Sequence, residues 1–222
     1  MDKSTLRNLS YGLYIIGAKD GERNVGCVVN TVTQVTSSPI VLTVCINKDN
    51  YTNLCLKKTK AFSISILSEQ AKENTIAVFG FSSSRDTDKF SEVPFGLTPS
   101  GLPYIKEGLT GYIQCKVIDF IDDFTHTIFI AEADDAANIP NENGSNDPPM
   151  TYAYYHNVVE GKTPKNASSY VEEPKEAKPA AGSYKCSICG YIYPGSREEF
   201  DKLPGDYQCP ICRVLKNKFV AL

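Results

Sequence analysis

Four cysteines form two Cys-x-x-Cys pairs, Cys186–Cys189 and Cys209–Cys212, with nineteen residues between them. No other feature of the sequence restricts the fold as tightly. Each pair is expected to make a tight turn whose backbone N–H groups point at the sulfurs. Two such turns place four thiolates at the corners of a tetrahedron, a donor set that suits zinc or iron. The spacing fits both a zinc ribbon and an iron–thiolate centre. Four protein ligands leave no open coordination position, so chemistry on a substrate at the metal is not expected. Residues 183–222 are too few to fold on a hydrophobic core alone, and the metal supplies the missing staple.

The other cysteines, Cys27, Cys45, Cys55 and Cys115, are scattered without pairing logic. They read as free, buried thiols in a reducing compartment. Around them, residues 11–18, 25–36, 40–46, 62–67, 109–120 and 125–133 alternate apolar and polar positions and are rich in Val, Ile, Thr and Tyr, the pattern of strands. Residues 49–58, which open on Asp and Asn cap candidates, and 69–79 carry helical spacing. Strands dominate and do not alternate regularly with helices. The expected fold is therefore mainly β, an antiparallel barrel with short helical decorations and a small C-terminal metal domain.

Composition shifts across residues 167–182, ASSYVEEPKEAKPAAG, which are small, charged and Pro-containing. This is a linker pattern, spanning roughly 20–25 Å as a semi-flexible chain. The expected organisation is a first domain over 1–165, a flexible linker over 166–182 and the metal domain over 183–222. No stretch approaches the roughly 20 apolar residues of a membrane helix. The start, MDKSTLRNLSYG, lacks a signal-peptide core, so a cytoplasmic protein with no membrane partner is expected. A net charge of −3 gives no electrostatic case for nucleic acid. There is no G-x-G-x-x-G, so a Rossmann nucleotide site is not supported.

One further segment carries chemistry. Asn47-Lys48-Asp49-Asn50-Tyr51-Thr52 ends an expected strand and opens an expected helix. Free N–H groups at a helix start, with Lys48 and Thr52 beside them, would form a phosphate cradle. A capped helix with a solvated lysine is the plainer alternative.

Tyr184-Lys-Cys186-Ser-Ile-Cys189-Gly190-Tyr191-Ile-Tyr193, followed by Leu203-Pro204-Gly205-Asp206-Tyr207-Gln-Cys209-Pro210-Ile-Cys212, resembles the rubredoxin family. The resemblance implies one iron on Cys186, Cys189, Cys209 and Cys212, with zinc as a substitute, and one-electron transfer. Two departures stand out. The gap between the pairs is short, and Arg213 follows the last cysteine where the family usually has glycine.

Val25-Gly-Cys27-Val-Val-Asn30-Thr31-Val32-Thr33-Gln34-Val35, then Lys48-Asp-Asn50-Tyr-Thr52, Ser83-Ser84-Arg85-Asp86 and Tyr154-Tyr155-His156 resemble the flavin-reductase-like, FMN-binding split-barrel family. That resemblance implies FMN at the interface of a homodimer. Asn30, Thr31, Val32, Thr33 and Gln34 would lie along the flavin ring and ribityl chain. Lys48, Asn50 and Thr52 would hold the phosphate, and Ser83, Ser84, Arg85 or His156 would close the pocket. Each has a plainer role: Thr31 and Thr33 suit a strand, Arg85 can pair with Asp86 or Asp88, and His126 reads as a mid-strand barrel residue.

The fusion resembles high-molecular-weight rubredoxins. It implies an electron-transfer flavo-rubredoxin taking electrons from NAD(P)H, directly or through an NADH-dependent reductase, and passing them via FMN and iron to a flavodiiron oxygen or nitric oxide reductase. The alternative is an NAD(P)H:flavin oxidoreductase carrying a structural zinc ribbon.

Overall fold

The computed structural model describes residues 3–159, 161, 163–164, 167–170 and 184–221. Most of the expected linker therefore lies outside the described residues.

Seven strands build one antiparallel sheet: β1 (Tyr14–Asp20), β2 (Arg23–Val29), β3 (Val32–Ser37), β4 (Ile40–Asn47), β5 (Ala61–Leu67), β8 (Leu109–Asp123) and β9 (His126–Asn138). Their order is β2-β1-β5-β8-β9-β4-β3. The two outermost strands, β2 and β3, follow one another in the chain with only Asn30 and Thr31 between them. So short a connection forces the sheet to curl until its edges meet at that end, which makes a barrel. The sequence pattern suggests one strand over 25–36. It breaks at Asn30 because the chain leaves one edge there and returns on the other, Thr31 C=O accepting from Cys45 N–H. β8 and β9, fifteen and thirteen residues long, pair with register shifts at Gln114/Cys115 and Val117/Asp119. Such bulges increase local twist and help the sheet to bend.

The barrel interior holds Ile16, Val25, Val44, Ile64 and Phe129, closed at one end by Leu56 and Cys55 of α1 (Tyr51–Thr59). Cys27 and Cys115 are buried here as small hydrophobes, as expected, whereas Cys45 is half-buried. In β5, Phe62 and Ile64 face this core while Ser63 and Ser65 face outward. Both serines are nonetheless buried beneath the hairpin of β6 (Phe95–Leu97) and β7 (Pro103–Ile105): Ser63 donates to Pro103 C=O, and Ser65 accepts from Ile105 N–H at 3.2 Å. Small hydroxyl residues suit a strand face that meets backbone.

A second cluster joins α2 (Glu73–Phe81) to the barrel wall through Ile76, Val78, Phe79, Phe90 and Ile15. Helix α2 begins later than the sequence spacing suggests, because residues 68–71 form a hydrogen-bonded turn. Lys89 is buried between these parts, donating to Gly26 C=O at 2.9 Å and Phe79 C=O at 3.1 Å. Burial lowers its pKa to about 8, opposed by the neighbouring Cys27. A short tyrosine-rich helix, α3 (Tyr152–Asn157), is capped by Thr151 and packs Tyr155 into the same cluster.

The C-terminal unit contains a two-stranded sheet of β10 (Tyr184–Cys186) and β11 (Phe219–Ala221), and α4 (Arg197–Lys202) between them in the chain. Ser196 and Glu199 form a reciprocal capping box on α4. Phe200 is the centre of this unit, ringed by Tyr184, Tyr193, Tyr207 and Phe219 at centroid distances of 4.2–5.8 Å. Its small core also takes in Ala77 of α2, with Phe81 packed against it. No described helix is long and apolar enough to cross a membrane.

Candidate functional site

The two cysteine turns are built alike. Cys186 N–H donates to Tyr191 C=O and Cys209 N–H to Val214 C=O, each at 2.8 Å. Gly190 and Arg213 N–H groups close the turns onto Cys186 and Cys209 C=O at 3.0 and 2.8 Å. The N–H groups of Cys189 and Cys212 then point at the sulfurs of Cys186 and Cys209, and those of Tyr191 and Val214 at the sulfurs of Cys189 and Cys212. Arg213 does not distort its turn, since its φ of 60° matches the left-handed Gly190 at 77°.

All four sulfurs lie within 4.8 Å of one another, with Cys186–Cys212 at 3.6 Å and Cys189–Cys209 at 3.5 Å. A metal about 2.3 Å from each sulfur needs tetrahedral edges of about 3.8 Å, so the cage fits one ion. The crowding also favours a cation electrostatically. The hydrogen bond with Cys189 holds Cys186 below the ordinary thiol range, while the one with Cys186 drives Cys212 far above it. Cys186, Cys209 and Cys212 are buried, and Cys189 alone reaches the surface in part.

Cys189 opens into a cleft of about 1280 Å³ between the C-terminal unit and the barrel. The near wall carries Cys189, Tyr191, Pro210 and Arg213, and the far wall Asn50, Ser83, Tyr152 and His156. At its back lies a recess of about 90 Å³, lined by Asn30, Thr31, Cys45, Asn47, Asn50 and His126 among others. Enclosed ligand sites run from about 300 to 1,000 Å³, so the recess is too small for a flavin alone and the cleft is large enough.

The candidate flavin residues are distributed unevenly. Asn30, Thr31 and Asn50 reach the recess, and Asn50, Ser83 and His156 reach the cleft. Val32 is half-buried on β3, with Thr33 and Gln34 exposed on the same strand, and none of the three lines either space. Asn50 caps α1, its Oδ1 accepting from Thr52 N–H at 3.0 Å. Asn53 N–H is taken by Asn50 C=O and Asp49 N–H by Asn47 Oδ1. The helix start thus spends several of its N–H groups on its own turn. Thr52 is fully buried beside Cys27, whose thiol burial pushes up to about 11. Lys48 is half-buried on the connection between β4 and α1 and lines neither space. Ser84 is buried, accepting from Gly26 N–H at 3.0 Å and donating to Gly26 C=O at 2.9 Å. Arg85 is exposed, its guanidinium 5.3 Å from the Tyr51 ring centre rather than ion-paired with Asp86 or Asp88.

His126 opens β9 at the recess instead of lying mid-strand, and its Nδ1 is 2.8 Å from Thr125 Oγ1. Burial lowers its pKa. His156 Nε2 lies 3.2 Å from Thr163 Oγ1, with its ring edge-on to Tyr152. The sequence patterns passed over Phe81, Tyr152 and Thr163, which line both spaces. They also passed over Ser168 and Ser169. Ser168 donates to Asn30 Oδ1 at 3.3 Å, and Asn30 Nδ2 donates to Ser169 Oγ at 2.9 Å. The Thr151 cap before a tyrosine-rich run was the available signal for Tyr152. A serine pair inside a polar, Pro-containing stretch carries none.

The family model for the flavin reductase like domain matches residues 6–161. The chain is 40% identical to the high molecular weight rubredoxin of Moorella thermoacetica, across 99% of each protein. It is 36% identical to the ferric-chelate reductase (NAD(P)H) of Archaeoglobus fulgidus, over 78% of this chain and 99% of that one. An FMN-binding protein from Thermus thermophilus shares the fold with a TM-score of 0.58 at 18% identity, over 75% of this chain and 92% of that one. The chain belongs to the flavin reductase like family, in the rubredoxin-fused form that high molecular weight rubredoxin represents.

Proposed function

We propose that this flavin-reductase-like protein is an electron carrier in which FMN held by residues 1–165 and one iron held by residues 183–222 work as a pair. FMN accepts two electrons together and releases them singly, whereas iron in four thiolates takes one at a time. The observation that carries the reading is the position of Cys189. This half-exposed ligand opens into the same cleft as Asn50, Ser83 and His156.

Within that reading, the cleft takes the flavin. Asn30 and Thr31 meet it at the recess, and Lys48, next to the cleft-lining Asp49 and Asn50, supplies positive charge from outside the cleft wall for its phosphate. Thr52, buried in the first turn of α1, supports the helix start instead of touching the phosphate. Val32, Thr33 and Gln34, on the outermost strand of the sheet, serve a second copy in a homodimer. The electron source is NAD(P)H, as the name of the Archaeoglobus relative suggests for that protein, and the acceptor is a flavodiiron protein. Residues 166–182 join the two units, with Ser168 and Ser169 held at Asn30, and the protein works in the cytoplasm.

The test is stopped-flow reduction of protein loaded with FMN and iron, by NADH under anaerobic conditions. Flavin absorbance should bleach first and the iron–thiolate band second, at a rate independent of protein concentration. An iron band that stays oxidised, or a colourless zinc-filled site in protein from its natural host, would sink the pairing and favour a flavin reductase with a structural zinc. Lys48→Ala should weaken FMN binding about tenfold, and unchanged affinity would remove Lys48 from the phosphate site.

A further inference from the structure

The two cysteine turns differ at one position. Both need a left-handed backbone after their second cysteine. The first turn uses Gly190, which adopts it freely, and the second uses Arg213 at φ 60°. A side chain in that conformation is disfavoured relative to glycine. Nothing in the sulfur cage asks for arginine, because the donors aimed at the sulfurs are backbone N–H groups. The neighbours of Arg213 outside its own unit supply the reason. It lines the cleft facing Phe81, Tyr152 and His156. Glu73, in the first turn of α2, and Tyr155 of α3 both lie within its electrostatic reach.

Arg213 is one of several residues through which the C-terminal unit meets the barrel region. Ala77 and Phe81 of α2 join the small core of Phe200, Val214 and the cysteines. Lys218 Nζ also lies 3.8 Å from Glu92 Oε2. The contact thus combines a small apolar cluster with two basic residues of the C-terminal unit, Lys218 beside Glu92 and Arg213 within electrostatic reach of Glu73.

We propose that Arg213 is a docking residue, holding the four-cysteine unit against α2 and α3 so that Cys189 stays in the cleft. It acts on electron transfer by positioning the unit, and that part rests on the function proposed above. The docking itself does not. The Lys218–Glu92 pair is open to solvent at both ends, and at 0.15 M salt screening acts over about 8 Å, so its share of the docking weakens as salt rises.

Arg213→Gly separates docking from folding, because glycine removes the backbone strain and leaves all four ligands in place. Metal content should be unchanged. In zinc-loaded protein without flavin, amide hydrogen exchange across residues 77–81 should rise at least tenfold, and the radius of gyration should grow. Arg213→Lys, which keeps both charge and strain, should restore most of the protection. In protein loaded with FMN and iron, the intramolecular rate of iron reduction should fall at least tenfold in Arg213→Gly. Unchanged exchange and radius in that variant would overturn the docking role. Faster exchange with an unchanged iron rate would overturn the positioning role. If iron in the unaltered protein is never reduced by flavin, the electron-transfer reading fails, while the exchange result still decides the docking.

Discussion

The four-cysteine unit and the cleft beside it are assembled by opposite routes. The cage draws its ligands from two turns within one 27-residue window, and each turn orients its sulfurs with its own backbone N–H groups. The cleft draws on residues from Leu6 to Arg213, brought together by the N-terminal segment, α1, α2, α3 and the C-terminal turns. The barrel behind it has its own buried core, whereas the C-terminal core is little more than Phe200, Val214, Phe219 and the cysteines. A local site in a poor core depends on its ion. A dispersed site in a rich core depends on the packing of the whole fold.

The largest expected effect breaks that asymmetry directly. In zinc-finger peptides structural zinc contributes about 10–16 kcal/mol that is also folding free energy. Stripping the metal, or Cys209→Ser, should therefore abolish exchange protection in β10 and β11 while the barrel amides keep theirs. Barrel protection lost to the same extent would show that the two regions fold as one.

A smaller effect lies in the barrel and depends on pH. Lys89 titrates near 8 when folded and near its ordinary 10.5 when unfolded. Between those values the unfolded chain holds the extra proton, so stability rises with pH by about 1 kcal/mol per unit from pH 8. Above pH 9 the buried thiols oppose it. Burial raises Cys27 to about 11 and Cys115 to about 12, so they ionise first in the unfolded chain and stability then falls with pH. Denaturant unfolding of the barrel should show a rise and then a fall. Lys89→Met should remove the rising limb, and a rise that persists would exclude Lys89 as its source.

The smallest effect separates the two roles of Asn50. As the cap of α1 its loss should cost about 1 kcal/mol of barrel stability. Asn50→Ala read by unfolding and by FMN titration together distinguishes cap from ligand contact. Lowered stability with unchanged affinity would leave Asn50 a cap only.

The sequence by itself determined the metal cage, because Cys-x-x-Cys turns are local and the required left-handed positions can be read as Gly190 and Arg213. It also determined the β-rich barrel, since alternation in segments such as 62–67 needs only neighbouring residues to be legible. Three matters waited for the tertiary structure. The strand pattern over 25–36 could not reveal the break at Asn30, because that break is set by closure of the sheet and not by propensity. The phosphate cradle looked alike whether its N–H groups were free or spent, and only the fold shows Asn47 and Asn50 consuming some of them and Thr52 buried. Arg213 read as an irregular residue beside its cage. Glu73 and Tyr155, within its electrostatic reach, are far away in the chain, so the reason for an arginine there emerges only when the C-terminal unit rests on α2.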